Sequence, residues 1–166
     1  SMGSLEAMKM LNIHPSLVIG NDWMDAPLAA HLNSERSLFK QDPHFKNTRT
    51  IGWVHNNGQD YQFKIPRIEN GIDLLSNIGL SAEDFDWFID PHARDLINFM
   101  AAFVRHSNAV VAVSPGQMQD YIASDDKGGG EWLCGIFREK MQAKQLFALS
   151  NGIFLRQNQE RWFKGF

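Results

Sequence analysis

The segment RTIGWVHNNGQDYQFKIP, residues Arg49–Pro66, carries the strongest local pattern of the chain. Apolar residues recur at every second position on both sides of its centre: Ile51, Trp53, Tyr61, Phe63 and Ile65. Between them lies Asn57-Gly58, a dipeptide that tolerates the positive φ angles of a type I′ turn. The segment therefore predicts an antiparallel β-hairpin over residues 50–65.

After Pro66 the spacing of apolar residues changes from strand-like to helix-like. Four of them share one helical face: Ile68, Ile72, Leu75 and Ile78. This pattern predicts a helix that ends at Gly79. A second helix is expected to start at Ser81, because Asp84 three residues later completes a variant of the capping box.

The middle of the chain predicts a buried helix followed by a buried strand. Asp90-Pro91 favours a helix start, since aspartate caps free amides and proline has no amide to leave unpaired. That helix is expected to run to about Arg105, with apolar residues over more than half of its circumference. Ala109–Val113 is an apolar run of β-branched character, which predicts an interior strand.

The remaining elements complete an α+β prediction. Residues 114–117 (SPGQ) predict the start of a short helix that reaches Ala123. Glu131–Leu149 predicts the last helix, Ile153–Gln157 a final strand, and Ser16–Ile19 an early one. We therefore expect a single domain of about six short helices packed on a small, mainly antiparallel sheet that includes the 50–65 hairpin.

Length and composition are those of one globular domain. The chain has 166 residues, of which 43% are hydrophobic and 21% charged. Residues 1–7 resemble a cloning scar, so we expect them to be an expression-tag remnant and residues 8–166 to form the domain. No apolar run approaches the roughly 20 residues that a membrane-spanning helix needs, so a membrane partner is not expected.

Charge is unevenly distributed in this chain, whose net charge is −3. Between Glu69 and Asp95, seven acidic residues accompany one basic residue. Between Glu131 and Phe166, six basic residues accompany three acidic ones. The two segments are expected to be solvated faces that attract each other in the fold; the alternative is that the last part of the chain presents a basic surface to an acidic partner or to phosphates.

Cys134 is the single cysteine, so the chain cannot form an internal disulfide. A cytoplasmic location fits this composition best, and export as an effector is compatible with it. A thiol near a helix start can have a lowered pKa, which makes Cys134 the candidate nucleophile of an enzyme, with His106 or His92 as its base. Its helical spacing to Phe137 instead favours a buried side chain.

No cofactor and no metal are expected. The six histidines are scattered and form no short paired ligand motif. Asp84 and Asp86 form a D-x-D pair, which in some transferases holds a divalent ion with a nucleotide sugar. Both residues fall at a predicted helix start, however, where acidic side chains are favoured by the helix dipole alone. Asp22 and Asp25 form a second acidic pair that is equally unspecific.

Aromatic and basic residues cluster near the C-terminus. With one tryptophan of an early loop, they are the candidate partner-binding residues: Trp162, Phe163, Arg161, Arg156, Lys164 and Trp23. Exposed tryptophan and arginine are typical of hot spots in protein interfaces. The C-terminal residues could instead stack on bases and neutralise phosphates, or pack against the core of the domain itself.

A helix opened by Trp132-Leu133, the turn Asn151-Gly152 and the strand after it form a further local pattern. Over about 30 residues this pattern resembles the last helix and wing of winged-helix DNA-binding domains. The resemblance implies a recognition helix that carries Arg138, Lys140 and Lys144.

The leading functional hypothesis is a non-enzymatic interaction module, because no convergent catalytic set is visible. Such an adaptor, chaperone or assembly component would bind a protein partner through its aromatic and basic C-terminal surface. The first alternative is a DNA- or RNA-binding domain with a winged-helix-like C-terminal part. The second is a hydrolase or transferase that uses Cys134. The sequence gives no indication of the oligomeric state.

Overall fold

Strands and helices are interspersed along the chain in the computed structural model, which describes residues 2–70, 72–124 and 129–150. The strands are β1 Leu17–Asn21, β2 Arg49–Val54, β3 Lys64–Pro66, β4 Ile68–Glu69, β5 Ile72–Asp73, β6 Leu96–Asn98, β7 Ala109–Ala112 and β8 Leu146–Ala148. The helices are α1 Met2–Met10, α2 Ala26–Asn33, α3 Leu38–Gln41, α4 Leu74–Asn77, α5 Phe85–Phe88, α6 Phe99–His106, α7 Pro115–Ile122 and α8 Cys134–Gln142.

The main sheet has four strands in the order β1-β2-β7-β8, and all of its neighbouring strands are parallel. Two smaller sheets, β3 with β6 and β4 with β5, are antiparallel. Parallel neighbours need crossover connections, which here contain the helices. The fold is therefore a Rossmann-like α/β arrangement, and the predicted α+β fold with a mainly antiparallel sheet is wrong.

The predicted hairpin over residues 50–65 does not form. Its first strand became β2, which pairs with β1 and β7 in the parallel sheet, whereas Lys64–Pro66 pairs with β6 in a different sheet. Gly58 has a φ of −53°, so the Asn57-Gly58 dipeptide does not adopt a type I′ turn. The Asn57 side chain is instead buried and donates to the carbonyl oxygen of Gly130.

Three predicted helices are shorter than expected. The Ile68–Ile78 segment forms β4 and β5 before a single turn, α4. Asp90 accepts hydrogen bonds from the amides of His92 and Ala93, but the chain then forms β6, and the helix begins only at Phe99. Asn98 caps that helix by accepting from the amide of Ala101. The last predicted helix, Glu131–Leu149, ends at Gln142 and is followed by β8.

Other local predictions are confirmed. The early strand and the strand at Ala109 form β1 and β7. The Ser114 side chain accepts from the amide of Gln117 at the start of α7. Ser81 and Asp84 form the expected capping box. The predicted strand Ile153–Gln157 lies outside the described residues.

Helix α6 covers one face of the main sheet and forms the centre of the core. Its Phe103 is 1% exposed and lies over Gly20 and Gly52, which are paired in β1 and β2. A Cβ atom at Gly20 would lie 2.9 Å from the Phe103 ring, and one at Gly52 would lie 2.5 Å from Ser107 Oγ. Glycine at both positions therefore lets α6 approach the sheet closely.

A second, smaller cluster of buried apolar residues lies beside this core. Leu5 of α1 is fully buried there, together with Leu32 of α2, Phe39 of α3 and Phe45. Across the ranges 2–70, 72–124 and 129–150, no helix combines the length and the apolar character that spanning a bilayer requires.

Candidate functional site

The carboxyl ends of β1, β2 and β7 meet at one edge of the main sheet, because these strands are parallel neighbours. In open α/β sheets, ligands bind in the crevice beyond these ends of the strands. The loop 55–58 after β2, the start of α7 after β7, and Asp22 after β1 therefore frame the candidate site.

Asp22 joins the end of β1 to the loop after β2. Its side chain is 5% exposed, and its Oδ1 accepts a hydrogen bond of 2.7 Å from the amide of His55. Its Oδ2 accepts from the hydroxyl of Tyr61 at 3.1 Å. Burial, together with the nearby Asp22 carboxylate, raises the pKa of Tyr61, so this phenol remains a donor.

Helix α7 is joined to the same loop by Gln117. The Oε1 atom of Gln117 accepts from the amide of Val113, and its Nε2 atom donates to the carbonyl oxygen of His55, both at 2.9 Å. The hydroxyl of Tyr121 donates to the carbonyl oxygen of Val54 at 3.3 Å, and burial raises the Tyr121 pKa. The loop after β2 is thus held from two sides.

The segment Gly130–Trp132 forms the wall of the candidate site opposite the loop after β2. Its backbone is left-handed at each residue. The φ angles are 60° at Gly130, 49° at Glu131 and 72° at Trp132. Left-handed backbone at non-glycine residues is strained, and such strain is concentrated at functional sites. A Cβ atom at Gly130 would lie 2.5 Å from the carbonyl oxygen of Tyr121, so this position requires glycine.

Two buried amide side chains hold this segment against the loop after β2. Asn57 Nδ2 donates to the carbonyl oxygen of Gly130 at 2.6 Å. Gln62, which is fully buried, donates through Nε2 to the carbonyl oxygens of both Asn57 and Glu131, at 3.0 and 2.8 Å. The two walls are therefore one hydrogen-bonded unit.

A buried polar chain continues behind Gln62. Asn98 Nδ2 donates to Gln62 Oε1 at 2.9 Å and to Asp90 Oδ2 at 2.8 Å, and Lys64 lies 3.4 Å from Asp90. Burial alone would raise the pKa of Asp90, but the hydrogen bonds from Asn98 and from the His92 amide, with the charge of Lys64, keep it below its ordinary value. The Asp90 carboxylate therefore stays ionised and fixes the amide orientations along the chain.

These loops enclose a cleft of about 220 Å³. Among the described residues, its polar lining has two carboxylates and no lysine or arginine: Asn56, Asn57, Gln117, Asp120, Tyr121 and Glu131. Asn57 is 4% exposed, and its Oδ1 atom accepts no hydrogen bond. The cleft thus combines an unsatisfied buried acceptor with two acidic side chains. No group of three or more His, Cys, Asp or Glu in the described part of the chain could hold a metal ion.

The structure gives each residue that the sequence proposed for a cysteine enzyme a separate set of contacts. Cys134, the first residue of α8, is 2% exposed, which leaves its thiol no access to a substrate. His106 packs against Trp87 and Phe88, while His92 bonds to the carbonyl oxygen of Trp132 at 3.0 Å.

The proposed recognition helix does not present a free row of cations. Lys140 Nζ donates to the carbonyl oxygens of Arg105 and Ser107 at 2.9 and 2.6 Å, and burial lowers its pKa to about 8. Arg138 donates to the carbonyl oxygen of Ile122 at 2.8 Å. Lys144 lies beyond the end of α8 and is exposed.

The proposed partner-binding residues are mostly beyond the described part of the chain. Trp162, Phe163, Arg161, Arg156 and Lys164 lie outside it. Trp23 is half-buried and stacks on Phe63 with ring centres 4.4 Å apart. Asp84 of the D-x-D pair is buried in its capping box, as the helix-start interpretation predicted.

Sequence reasoning treated Asp22 only as part of an unspecific acidic pair and Asn57 only as a turn residue, and it missed Gln62 and Asn98. A usable signal was present, because polar residues follow the strands that end at Asn21 and Val54 directly, and the strand that ends at Ala112 after one further residue, Val113. Those ends fall at one sheet edge only if the strands are parallel. The hairpin prediction removed that possibility.

Comparison with known proteins identifies glycogen and starch synthases as relatives. Residues 1–136 match the family described as the starch synthase catalytic domain. The chain is 30% identical over 151 residues to the glycogen synthase of Thermotoga maritima. The aligned region covers 90% of this chain and 28% of that protein. It is 29% identical over 140 residues to granule-bound starch synthase 1 of Solanum tuberosum, covering 75% of this chain and 22% of that protein.

A solved structure has the same fold. The catalytic domain of starch synthase IV from Arabidopsis thaliana, bound to ADP and acarbose, matches with a TM-score of 0.67 at 20% identity. The match covers 96% of this chain and 29% of that one. The chain thus spans less than a third of the length of the curated relatives described above.

These matches overturn the functional hypotheses drawn from the sequence. The adaptor, chaperone or assembly component is wrong, and so are the nucleic-acid-binding domain and the Cys134 enzyme, since the relatives are glycogen and starch synthases. With residues 1–136 of 166 inside the match, the chain belongs to the starch synthase catalytic domain family.

Proposed function

We propose that this chain is part of a glycosyltransferase that extends an α-glucan with glucose from a nucleotide-linked donor. The family match over residues 1–136 carries the proposal. The cleft at the carboxyl edge of the sheet supports it, because it lies where ligands of open α/β sheets bind and has a polar lining.

The reaction joins two chemically different ligands. A hydroxyl of the acceptor glucan attacks the anomeric carbon of the donor glucose and loses its proton, the bond from that carbon to the diphosphate oxygen breaks, and ADP leaves. The Arabidopsis relative was solved with ADP and with acarbose, one ligand of each kind. In this chain, the loop after β2 and the Gly130–Trp132 segment would bind and orient part of such a ligand pair.

The direct test measures ligand binding and not catalysis, because the chain corresponds to only 28% of the Thermotoga protein. We would titrate the isotope-labelled chain with ADP, with maltohexaose and with cellohexaose, and follow the amide resonances. The α-linked maltohexaose and ADP should shift amides of residues 55–58, 114–121 and 130–132. The β-linked cellohexaose, of the same size and polarity, should leave them unchanged.

The proposal fails if neither ADP nor maltohexaose shifts any resonance at millimolar concentration. It also fails if maltohexaose and cellohexaose give the same shifts, because a site for α-glucan must distinguish the two linkages.

A further inference from the structure

We infer that a cavity at the amino edge of the main sheet binds a sugar ring of the glucan, as a second contact that is separate from the candidate functional site. We call this cavity the amino-edge pocket, and its lining includes Asn33, Arg36, Asp84, Trp87, Arg105 and His106. The inference rests on the proposed function, because it adds a contact for the same polymer.

The amino-edge pocket lies at the opposite edge of the sheet from the candidate site. Helix α2 ends at Asn33, whose Nδ2 donates at 2.8 Å to Oγ1 of Thr50, near the start of β2. Helix α6 ends at His106, shortly before β7 begins at Ala109. At about 3.3 Å per residue, strands of four to six residues place about 13 to 20 Å between the two edges. The two sites share none of their described lining residues.

One wall of the pocket is an exposed aromatic ring. The pocket has a volume of about 230 Å³, and Trp87 in its wall is 48% exposed, although the next residue of α5, Phe88, is fully buried. The Trp87 ring packs against His106 with ring centres 5.2 Å apart, which fixes its position. A pyranose ring has a face of C–H groups, so it can stack on such a wall while its hydroxyls reach polar neighbours.

The polar groups beside this ring are held in place and include both donors and acceptors. The Asp84 carboxylate accepts a hydrogen bond of 2.6 Å from the Ser34 hydroxyl. Nη1 of Arg105 donates to the carbonyl oxygens of Trp87 and Ile89 at 2.9 and 2.8 Å. A carboxylate has lone pairs for further donors, and a guanidinium has further N–H groups. Sugar hydroxyls match both, because each hydroxyl donates and accepts.

His106 gives the pocket an unsatisfied polar group. The residue is 5% exposed, and its Nε2 atom has no hydrogen-bond partner in the part of the chain that the structure describes. Burial lowers the pKa of His106 to about 4, so the ring is neutral near pH 7 and Nε2 either donates or accepts, depending on the tautomer. Buried polar atoms are normally paired, and a hydroxyl satisfies either tautomer.

The charges of the lining favour a neutral ligand. The carboxylates of Glu35 and Asp84 are balanced by the guanidinium groups of Arg36 and Arg105. Arg36 is also paired with Glu83 at 2.7 Å. An anion such as ADP would meet two carboxylates here, whereas a glucan carries no charge. A glucan bound at this pocket would stay close to the candidate site, because a second contact raises its effective concentration there.

The experiment titrates the isotope-labelled full chain with maltohexaose and with ADP. It follows the indole N–H resonance of Trp87 and the amide resonances of residues 33–36 and 84–87. Maltohexaose should shift these resonances in addition to those of residues 55–58 at the candidate site. ADP should leave the resonances of the amino-edge pocket unchanged. Nuclear Overhauser contacts between the Trp87 ring protons and the C–H protons of maltohexaose test the stacking directly and need no variant.

Two variants and a matched control measure the contribution of the ring. Trp87→Ala should weaken maltohexaose binding about tenfold at the amides of residues 33–36, and by less than about twofold at those of residues 55–58. Trp87→Phe keeps an aromatic face, so it should retain the affinity to within about threefold. Phe147→Ala is the control, because it removes a ring that is 50% exposed from β8, outside the pocket, and it should change neither constant.

Thermal unfolding checks the fold of each variant, and the Overhauser contacts decide the question if Trp87→Ala does not fold. Three results would overturn the inference and leave the proposed function standing. Maltohexaose could shift the resonances of residues 55–58 alone, Trp87→Ala could keep full affinity at the pocket, or ADP could shift the pocket resonances as maltohexaose does. Failure of the proposed function is distinct, because neither ligand would then shift any resonance of the parent chain.

Discussion

The two faces of the main sheet differ in the size of their side chains more than in their polarity. On the face beneath α6 the strands carry Gly20, Gly52 and Ala112, next to the larger residues Val54, Val110 and Leu146. On the opposite face they carry large apolar ones: Leu17, Ile19, Ile51, Trp53 and Phe147. Within the described residues, Leu17, Ile19 and Phe147 of that face are 46 to 50% exposed.

This difference has a physical cause. A helix lies close to a sheet only where the strand side chains are small, so the face that packs most tightly carries the least side-chain volume. Parallel sheets are apolar on both faces, because both are normally covered. Polarity alone therefore does not tell which face carries the helix, whereas the two glycines beneath Phe103 do.

The strongest test of the comparison removes one phenylalanine from each face. Phe103→Ala, on the covered side, should lower the free energy of unfolding by about 4 kcal/mol, because the side chain is 1% exposed and its removal leaves a cavity. Phe147→Ala, on the open face, should lower it by about 1 kcal/mol, because half of the side chain is already in water. Urea unfolding of both variants measures the difference.

The two variants have the same chemical change, so each controls the other. Equal losses would show that Phe147 is covered in solution, and the comparison of the two faces would then be wrong. A loss near 1 kcal/mol for Phe103→Ala would mean that α6 moves inward to close the cavity.

Helix α6 should also make the stability of the protein depend on pH. Burial of His106 lowers its pKa to about 4, from about 6.5 in the unfolded chain. Lys140 and Arg105 act in the same direction, while Asp84 opposes them. Between these pH values the unfolded chain binds a proton that the folded chain does not. Stability is therefore complete above about pH 6.5 and falls by up to about 3 kcal/mol as the pH is lowered to 4.

Urea unfolding at several pH values between 4 and 8 measures this loss, with His106→Gln as the control. The control should flatten the curve without abolishing its slope, because burial lowers the pKa of His31 as well. A His106→Gln variant with an unchanged slope would contradict the assignment to His106. Among its described residues, the open face has no buried histidine. It should therefore not contribute to the pH dependence of the free energy of unfolding in this range.

The sequence predicted local elements better than their partners. The alternation in β2 is real, since Thr50, Gly52 and Val54 are buried while Arg49, Ile51 and Trp53 are less so. It arises from one closely covered face and one open face, however, and not from a hairpin. Ile51 pairs with Ile19 and Ala109, which are 32 and 58 positions away. A local sequence pattern carries no information about a pairing partner so far away in the chain.

The candidate site was missed for a related reason. Ser114 and Ser81 were recognised as helix caps because a cap is defined by residues within one turn. Asn57 joins Gly130, and Gln62 joins Glu131, across about 70 residues of chain. In the sequence, Asn57 has the signature of a turn residue. Only the fold shows that its side chain holds the Gly130–Trp132 segment.

The smallest expected effect comes from two adjacent residues of β1 that point to opposite faces. Val18 is 8% exposed beneath the helices, and Ile19 is 49% exposed on the open face. Val18→Thr should lower the free energy of unfolding by about 1.5 kcal/mol, because it buries a hydroxyl that has no prepared partner. Ile19→Thr should lower it by about 0.5 kcal/mol, since its hydroxyl remains in water. Thermal unfolding over a range of protein concentrations measures both. A larger loss in Ile19→Thr that grows with concentration would show that a second copy of the chain covers the open face, and the two faces would then differ only in what covers them.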